Sequence, residues 1–306
     1  MRCRPTGEFG SDSHASMMGL DSAMLQALGA AFFFGTGLVL TNIGFRWAAP
    51  LQGGTISIAT TAVLFLVLSP IVVDWDQWNL TGALIFAVVG LFYPALVNLL
   101  TFEGNRQVGP SITGAMGNLT PLFAVLFAIA LLGEAPGLLQ IIAIIVILLG
   151  VSLMTVSRES GGARWPLIAL LLPLVAALFR GLGQPVVKIG LDFWASPFAA
   201  VAIGYIVSTF LLLTVCVVSK AKPLHNLERR GVAWFIMVGL CHSVANFLLY
   251  RSLAEASITV VAPLVASYPI TTLILSRLFI RNTLITWGVA LGVVVTVGGV
   301  VLLLRG

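Results

Sequence analysis

Charge is what this sequence has least of. Only 9% of its 306 residues are Asp, Glu, Lys or Arg, whereas 59% are hydrophobic. The mean hydropathy is +1.07. So little polar surface excludes a water-soluble globule, and a bilayer has to be the solvent.

Cysteine is equally sparse. Cys3, Cys216 and Cys241 form no CxxC pair and have no metal-ligand spacing, so neither a disulfide framework nor a zinc site is expected. Signatures of catalysis are absent too: no Walker A loop, no HExxH, no GxSxG and no paired carboxylates. The run Gly181-Leu182-Gly183-Gln184-Pro185-Val186 lacks the third glycine and the preceding strand of a dinucleotide loop. No enzyme activity, cofactor or metal is expected. The net charge of +5 does not point to nucleic acid, because the basic residues stand singly or in pairs beside apolar runs, without interleaved aromatics. Acidic side chains are missing from the span interiors. Glu103, Glu134 and Glu255 lie near span ends, a distribution that argues against export of lipophilic cations.

What the sequence does have is long apolar runs, each about 20 residues, the length a helix needs to cross about 30 Å of hydrocarbon. Bounded by charge, Pro or Gly, they predict an all-α integral membrane protein with ten spans, near 24–44, 51–73, 80–101, 110–132, 138–156, 165–188, 195–219, 232–252, 257–279 and 284–304. Residues 1–23 read as a disordered polar tail. All seven tryptophans, Trp47, Trp75, Trp78, Trp165, Trp194, Trp234 and Trp287, fall near span ends, where an indole prefers the headgroup level.

Displacing the sequence by 148 residues brings Asn98 onto Asn246, Pro121 onto Pro269 and Gly150 onto Gly298; at 147, Trp47 and Pro50 meet Trp194 and Pro197. One five-span unit therefore occurs twice, at 24–156 and 165–304, joined by a linker at 157–164. Five is odd, so the second unit enters from the opposite face and the repeats are inverted. Lys and Arg agree. The side bearing connections 1–2, 3–4, 5–6, 7–8 and 9–10 holds Arg46, Arg106, Arg158, Arg164, Lys220, Lys222, Arg229, Arg230, Arg277 and Arg281, whereas the other holds Arg251 and Arg305. The rich side is expected in the cytoplasm of a cell (inner) membrane, with both termini outside.

From Pro121 through Leu131-Leu132-Gly133-Glu134 to Gly150, with Phe34-Gly35 in the first span, the sequence resembles the drug/metabolite transporter superfamily and its EamA-like branch. The resemblance covers about 24–304 and implies ten helices in two repeats that carry small solutes across the membrane. Three positions depart from the pattern: Arg281-Asn282 stands where the second Gly-Glu is expected, the second span lacks an arginine, and Arg180 replaces an aromatic residue.

The sixth span carries Arg180, Gln184 and Lys188 at i, i+4 and i+8, on one face, with Pro185 beside them as a helix breaker. Cations inside a span are costly unless they meet water, a partner or the interface, so this stripe is a candidate for gripping an anionic or zwitterionic solute. The alternatives are snorkelling of Lys188 and structural pairing of Arg180. The counterparts are Phe33, Gly37 and Thr41, so the stripe is not duplicated. The eighth span presents His242, Asn246 and Tyr250 against Pro94, Asn98 and Phe102 in the third; the two asparagines are expected to face each other. They either contact solute or tie helices together, and His242 is a candidate proton site or a packed ring. Gly114, Gly117, Asn118, Thr120 and Pro121 in the fourth span correspond in position to Ala262, Pro263, Ser267, Tyr268 and Pro269 in the ninth, which suggests interrupted helices that line the site and act as gates. Gly288 and Gly292 suit close packing of the tenth span.

The residues thus point to a secondary-type transporter of a small metabolite, anionic or amino-acid-like, working by alternating access with proton or solute coupling and without nucleic acid. Other readings are a membrane-embedded or lipid-modifying enzyme, efflux of hydrophobic drug-like molecules, and a non-transporting partner subunit. Nothing in the sequence indicates an oligomeric state.

Overall fold

The computed structural model describes residues 11–108, 113, 116–156, 167–218, 228–279 and 287–305. Within them the regular structure is entirely helical. The helices are α1 (Ser11–Gly44), α2 (Pro50–Val72), α3 (Leu80–Phe92), α4 (Ala95–Val108), α5 (Thr120–Leu132), α6 (Leu138–Val156), α7 (Leu167–Phe193), α8 (Pro197–Val218), α9 (Arg229–Glu255), α10 (Ile258–Val265), α11 (Tyr268–Phe279) and α12 (Trp287–Leu303), with a 3-10 turn at Trp75–Gln77. Hydrocarbon offers backbone groups no partner, so apolar runs must satisfy them internally, and helices do so.

Seven apolar segments are long enough to cross a bilayer: Asp21–Gly44, Pro50–Val72, Leu80–Thr101, Ala169–Phe193, Pro197–Val217, Arg229–Glu255 and Ile258–Phe279. Three shorter apolar helices, Thr120–Leu132, Leu138–Leu153 and Trp287–Leu303, occupy the remaining predicted stretches. Helix α1 starts at Ser11, inside the tail expected to be disordered.

Local chemistry sets the boundaries. Helices α2 and α8 both open on proline, Pro50 and Pro197, whose missing N–H costs nothing in a first turn. Helix α5 stops at Gly133, which adopts φ 67°, a left-handed conformation that glycine accepts without strain. Helices α3 and α4 share one apolar segment, interrupted at Tyr93-Pro94; α10 and α11 share another, interrupted at Ala266-Ser267.

Packing repeats when the two halves are exchanged. Helix α1 lies along α9, as α7 lies along α3 and α4; α2 meets α9, as α8 meets α3; α5 packs on α7, as α11 packs on α1; and α6 pairs with α12. The reason is a nine-residue pattern that occurs twice, Gly82-x3-Phe86-x3-Gly90 and Gly231-x3-Phe235-x3-Gly239. A side-chain carbon on Gly82 would come within 2.7 Å of Trp194, and one on Gly231 within 3.0 Å of Trp47. Phe86 covers Gly190 and Phe235 covers Gly44. Gly90 abuts the Gly204 carbonyl and Gly239 that of Ser57, each at 2.7 Å from such a carbon. Small residues let backbones approach, and hydroxyls then bridge them: Ser208 Oγ donates to Gly90 O at 2.6 Å, Thr61 Oγ1 to Gly239 O at 3.0 Å.

Two positions differ from expectation. Trp194 does not sit among headgroups but is buried, 2% exposed, beside Phe86 and Trp75; Gly82 makes the room. In the α6 and α12 pair Gly150 presses on Thr296 and Gly292, and Gly299 presses on Ile147, whereas Gly298, the counterpart of Gly150 in sequence, has open space around it.

Candidate solute site

Helix α7 runs without interruption through Pro173 and Pro185. It brings Arg180 to the middle of the bundle, half-buried, where Nη1 lies 3.9 Å from a side-chain carbon built on Gly117. Its charge reaches Tyr93, His242 and Tyr268. Among the described residues no carboxylate pairs with it.

The interrupted helices end here. Helix α5 begins at Thr120 after a turn at Asn118-Leu119, and α11 begins at Tyr268 after a turn at Ala266-Ser267; Pro121 and Pro269 are the second residues of their helices. The first N–H groups of a helix have no partner within it and carry its partial positive charge. Gly117, just before α5, lies against Arg180, and Tyr268, the first residue of α11, is within reach of its charge. Asn118 Nδ2 donates to Val151 O at 3.4 Å. Gly114 lies outside the described residues.

Asn246 is the hub of a polar network. Its Oδ1 accepts from Tyr93 Oη at 3.0 Å, and its Nδ2 donates to Tyr205 Oη at 2.9 Å and to the His242 carbonyl at 2.8 Å. Those bonds join α9 to α8 and to the break between α3 and α4. Asn98 is not among the partners; it is half-buried on α4, and Tyr93 stands where Asn98 was expected. Tyr250 is buried close to Tyr93 and Tyr205. The chain has four tyrosines, and all four converge on this one region. Tyr93 and Tyr205 were missed from sequence because neither falls on a stripe. Their scarcity and their common placement within apolar segments was the available signal.

The His242 ring rests on Gly37, with Cδ2 and Nε2 each 2.9 Å from a carbon built there, and lies 5.9 Å from the Phe34 ring. Gly37, the positional counterpart of Gln184, is thus what admits the imidazole.

The basic stripe divides between two places. Gln184 is 8% exposed, and its Oε1 finds no donor among the described residues. Lys188 leaves the Arg180 cluster: its Nζ donates to the Ala256 carbonyl and lies 3.6 Å from Glu134 Oε1. Glu134 in turn accepts from the backbone N–H of Ile258 at 2.9 Å and of Thr259 at 3.0 Å. Expected as an interfacial or structural residue, it caps α10 from the other half of the chain.

Arg180, the four tyrosines, Asn246 and His242 thus lie in one polar region between two similarly packed halves. A family model, described as the EamA-like transporter family, matches twice, over residues 21–156 and 167–305. The chain belongs to the EamA-like transporter family. It is a multi-pass membrane protein of two-repeat architecture, as are the members of this family to which it was expected to be similar. A crystal structure described only as that of a protein is 14% identical, with a TM-score of 0.77, over 92% of this chain and 96% of its own; it shares the fold. No curated protein matches at a significant level.

Proposed function

We propose that this EamA-like transporter is a secondary-type carrier of a small anionic or amino-acid-like solute, working by alternating access between two inverted five-span halves, ten spans in all. The observation that carries the reading is Arg180, a guanidinium without a carboxylate partner among the described residues, lying against Gly117 at the break before α5. An uncompensated cation within a bilayer is costly to keep, and a bound anion offsets the cost. Phenols of Tyr93, Tyr205, Tyr250 and Tyr268 with Asn246 then form the polar wall of the chamber, and Gln184 supplies an acceptor for a solute ammonium or hydroxyl. Asn118 ties the start of α5 to α6 through the Val151 carbonyl, Asn98 is a candidate for solute contact, His242 is the candidate for proton coupling, and the breaks before Pro121 and Pro269 are the candidate gates. The Lys- and Arg-rich connections face the cytoplasm in this reading, and both termini lie outside.

The test is a thermal-shift screen of the purified protein against carboxylates and amino acids, followed by uptake of the best hit into proteoliposomes with the parent and with Arg180→Ala. Saturable uptake lost in the variant is expected. Equal binding and equal uptake by both proteins overturn the assignment of Arg180, and absence of any transport by the parent overturns the carrier.

A further inference from the structure

The end of α1 meets the start of α9 where Gly231 presses on Trp47, and that contact gathers three arginines. Arg46 precedes Trp47, Arg229 and Arg230 precede Gly231, and all three residues are exposed. We propose that Arg46, Arg229 and Arg230, with the rings of Trp47 and Trp234, form a binding site for the phosphodiester headgroup of an anionic phospholipid. The site is separate from the solute chamber and does not depend on the role of Arg180.

The packing puts these cations together at headgroup level. The apolar segments of the two helices are Asp21–Gly44 and Arg229–Glu255, so Arg46 lies just past the end of one, and Arg229 and Arg230 open the other. A side-chain carbon on Gly231 would come within 3.0 Å of the Trp47 carbonyl. Consecutive Cα atoms are about 3.8 Å apart, so Arg46 and Arg230 are each one short step along the chain from that contact. The Trp47 and Trp234 rings lie nearly parallel, 6° between their planes with centroids 6.3 Å apart, and both residues are half-buried. Indoles settle where hydrocarbon gives way to headgroups, so the pair marks the depth at which lipid phosphates lie. Among the described residues none of the three guanidinium groups has an acidic partner; Glu228, next to Arg229 in sequence, is exposed and forms no ion pair with it.

The other half shows that the packing itself does not need the charges. There Gly82 presses on Trp194 as Gly231 presses on Trp47, and the places of Arg46, Arg229 and Arg230 are taken by Phe193, Leu80 and Thr81. The same close approach forms without a cation, and its tryptophan is buried, whereas Trp47 stays partly open. Three like charges on one rim repel one another, and a phosphodiester among them relieves the repulsion. Its oxygens match the guanidinium fork, which can hold them bidentately. At this depth the anions within reach are those of the lipid, and arginines beside a span attract them.

Arginines beside a span also direct its insertion, a role that is absent in detergent, and the test is made there. Delipidated protein is titrated with phosphatidylglycerol or with phosphatidylcholine of the same acyl chains, and bound lipid is counted by native mass spectrometry. The parent should bind its first phosphatidylglycerol at least about tenfold more tightly than its first phosphatidylcholine. Arg46→Gln, Arg229→Gln and Arg230→Gln combined should abolish that preference, whereas Arg251→Gln combined with Arg305→Gln should leave it intact. The single variants Arg46→Gln and Arg230→Gln, on different helices, should each lose at least about half of it, which keeps the test decisive if the triple variant is not monodisperse. Equal binding of the two lipids by the parent overturns the proposal. So does a preference that survives the triple substitution, that falls as far in the Arg251 and Arg305 variant, or that is lost from one helix only.

Discussion

Thr61 Oγ1 on α2 donates to the carbonyl of Gly239 on α9 at 3.0 Å, and that carbonyl also accepts from Ser243 at 2.8 Å. The contact exists because Gly239 has no side chain, and it has a twin in Ser208 and Gly90. Without a hydrophobic drive between helices in lipid, such close approaches are what stability consists of.

Glycine substitutions in the α6 and α12 pair should therefore separate by position. Gly150→Ala and Gly299→Ala drive a methyl group into Thr296 and Ile147, with approaches of 2.4 and 2.7 Å, and should cost about 1–3 kcal/mol each. Gly298→Ala, with nothing within 4 Å, should be neutral. Thermal unfolding in detergent distinguishes the three, and equal loss in Gly298→Ala contradicts the packing.

The Asn246 network should be coupled. Tyr205→Phe removes one acceptor and should cost about 1 kcal/mol, whereas Asn246→Leu strands two phenols and should cost about 1–3 kcal/mol. In the Asn246→Leu background, Tyr205→Phe should cost nothing further. Additive losses in a double-mutant cycle contradict the bond.

Arg180→Gln should weaken binding of the best anionic hit at least about tenfold, or 1.4 kcal/mol. The solute-free protein should be no less stable, because an uncompensated cation is removed. Calorimetry and thermal unfolding together check both halves of this expectation; a large loss of stability would mean Arg180 serves the fold.

Tryptophans should divide sharply. Trp194→Ala empties a buried site between Trp75 and Phe86 and should cost about 3–5 kcal/mol. Trp287 is 92% exposed, and Trp287→Ala should change stability by less than about 0.5 kcal/mol. Unfolding followed by tryptophan fluorescence measures both.

Apolar length and punctuation made the helices legible, because hydrocarbon leaves the backbone few choices. The breaks before Pro121 and Pro269 were legible for the same reason, and they fall 148 residues apart as expected. The best-packed correspondence, Gly82, Phe86 and Gly90 with Gly231, Phe235 and Gly239, runs at 149 and was hidden. The third span is interrupted at Tyr93-Pro94 while α9 is continuous, so one residue is absorbed at the break and the register returns to 148 at Asn98 and Asn246. A search at one fixed displacement cannot see both. Arg180, Gln184 and Lys188 lie on one continuous helix, but eight residues of it span about 12 Å at 1.5 Å per residue. That length explains how Lys188 reaches a different partner. The Glu134 cap was unreadable, since its donors are backbone groups more than 120 positions away.

Each half owns one member of the Glu134 and Lys188 pair. At these two positions, two copies of residues 21–156 would bring two glutamates and two threonines, and two copies of 167–305 two lysines and two asparagines. The duplicates have become obligate companions, and a symmetric homodimer of either one would be missing its clasp.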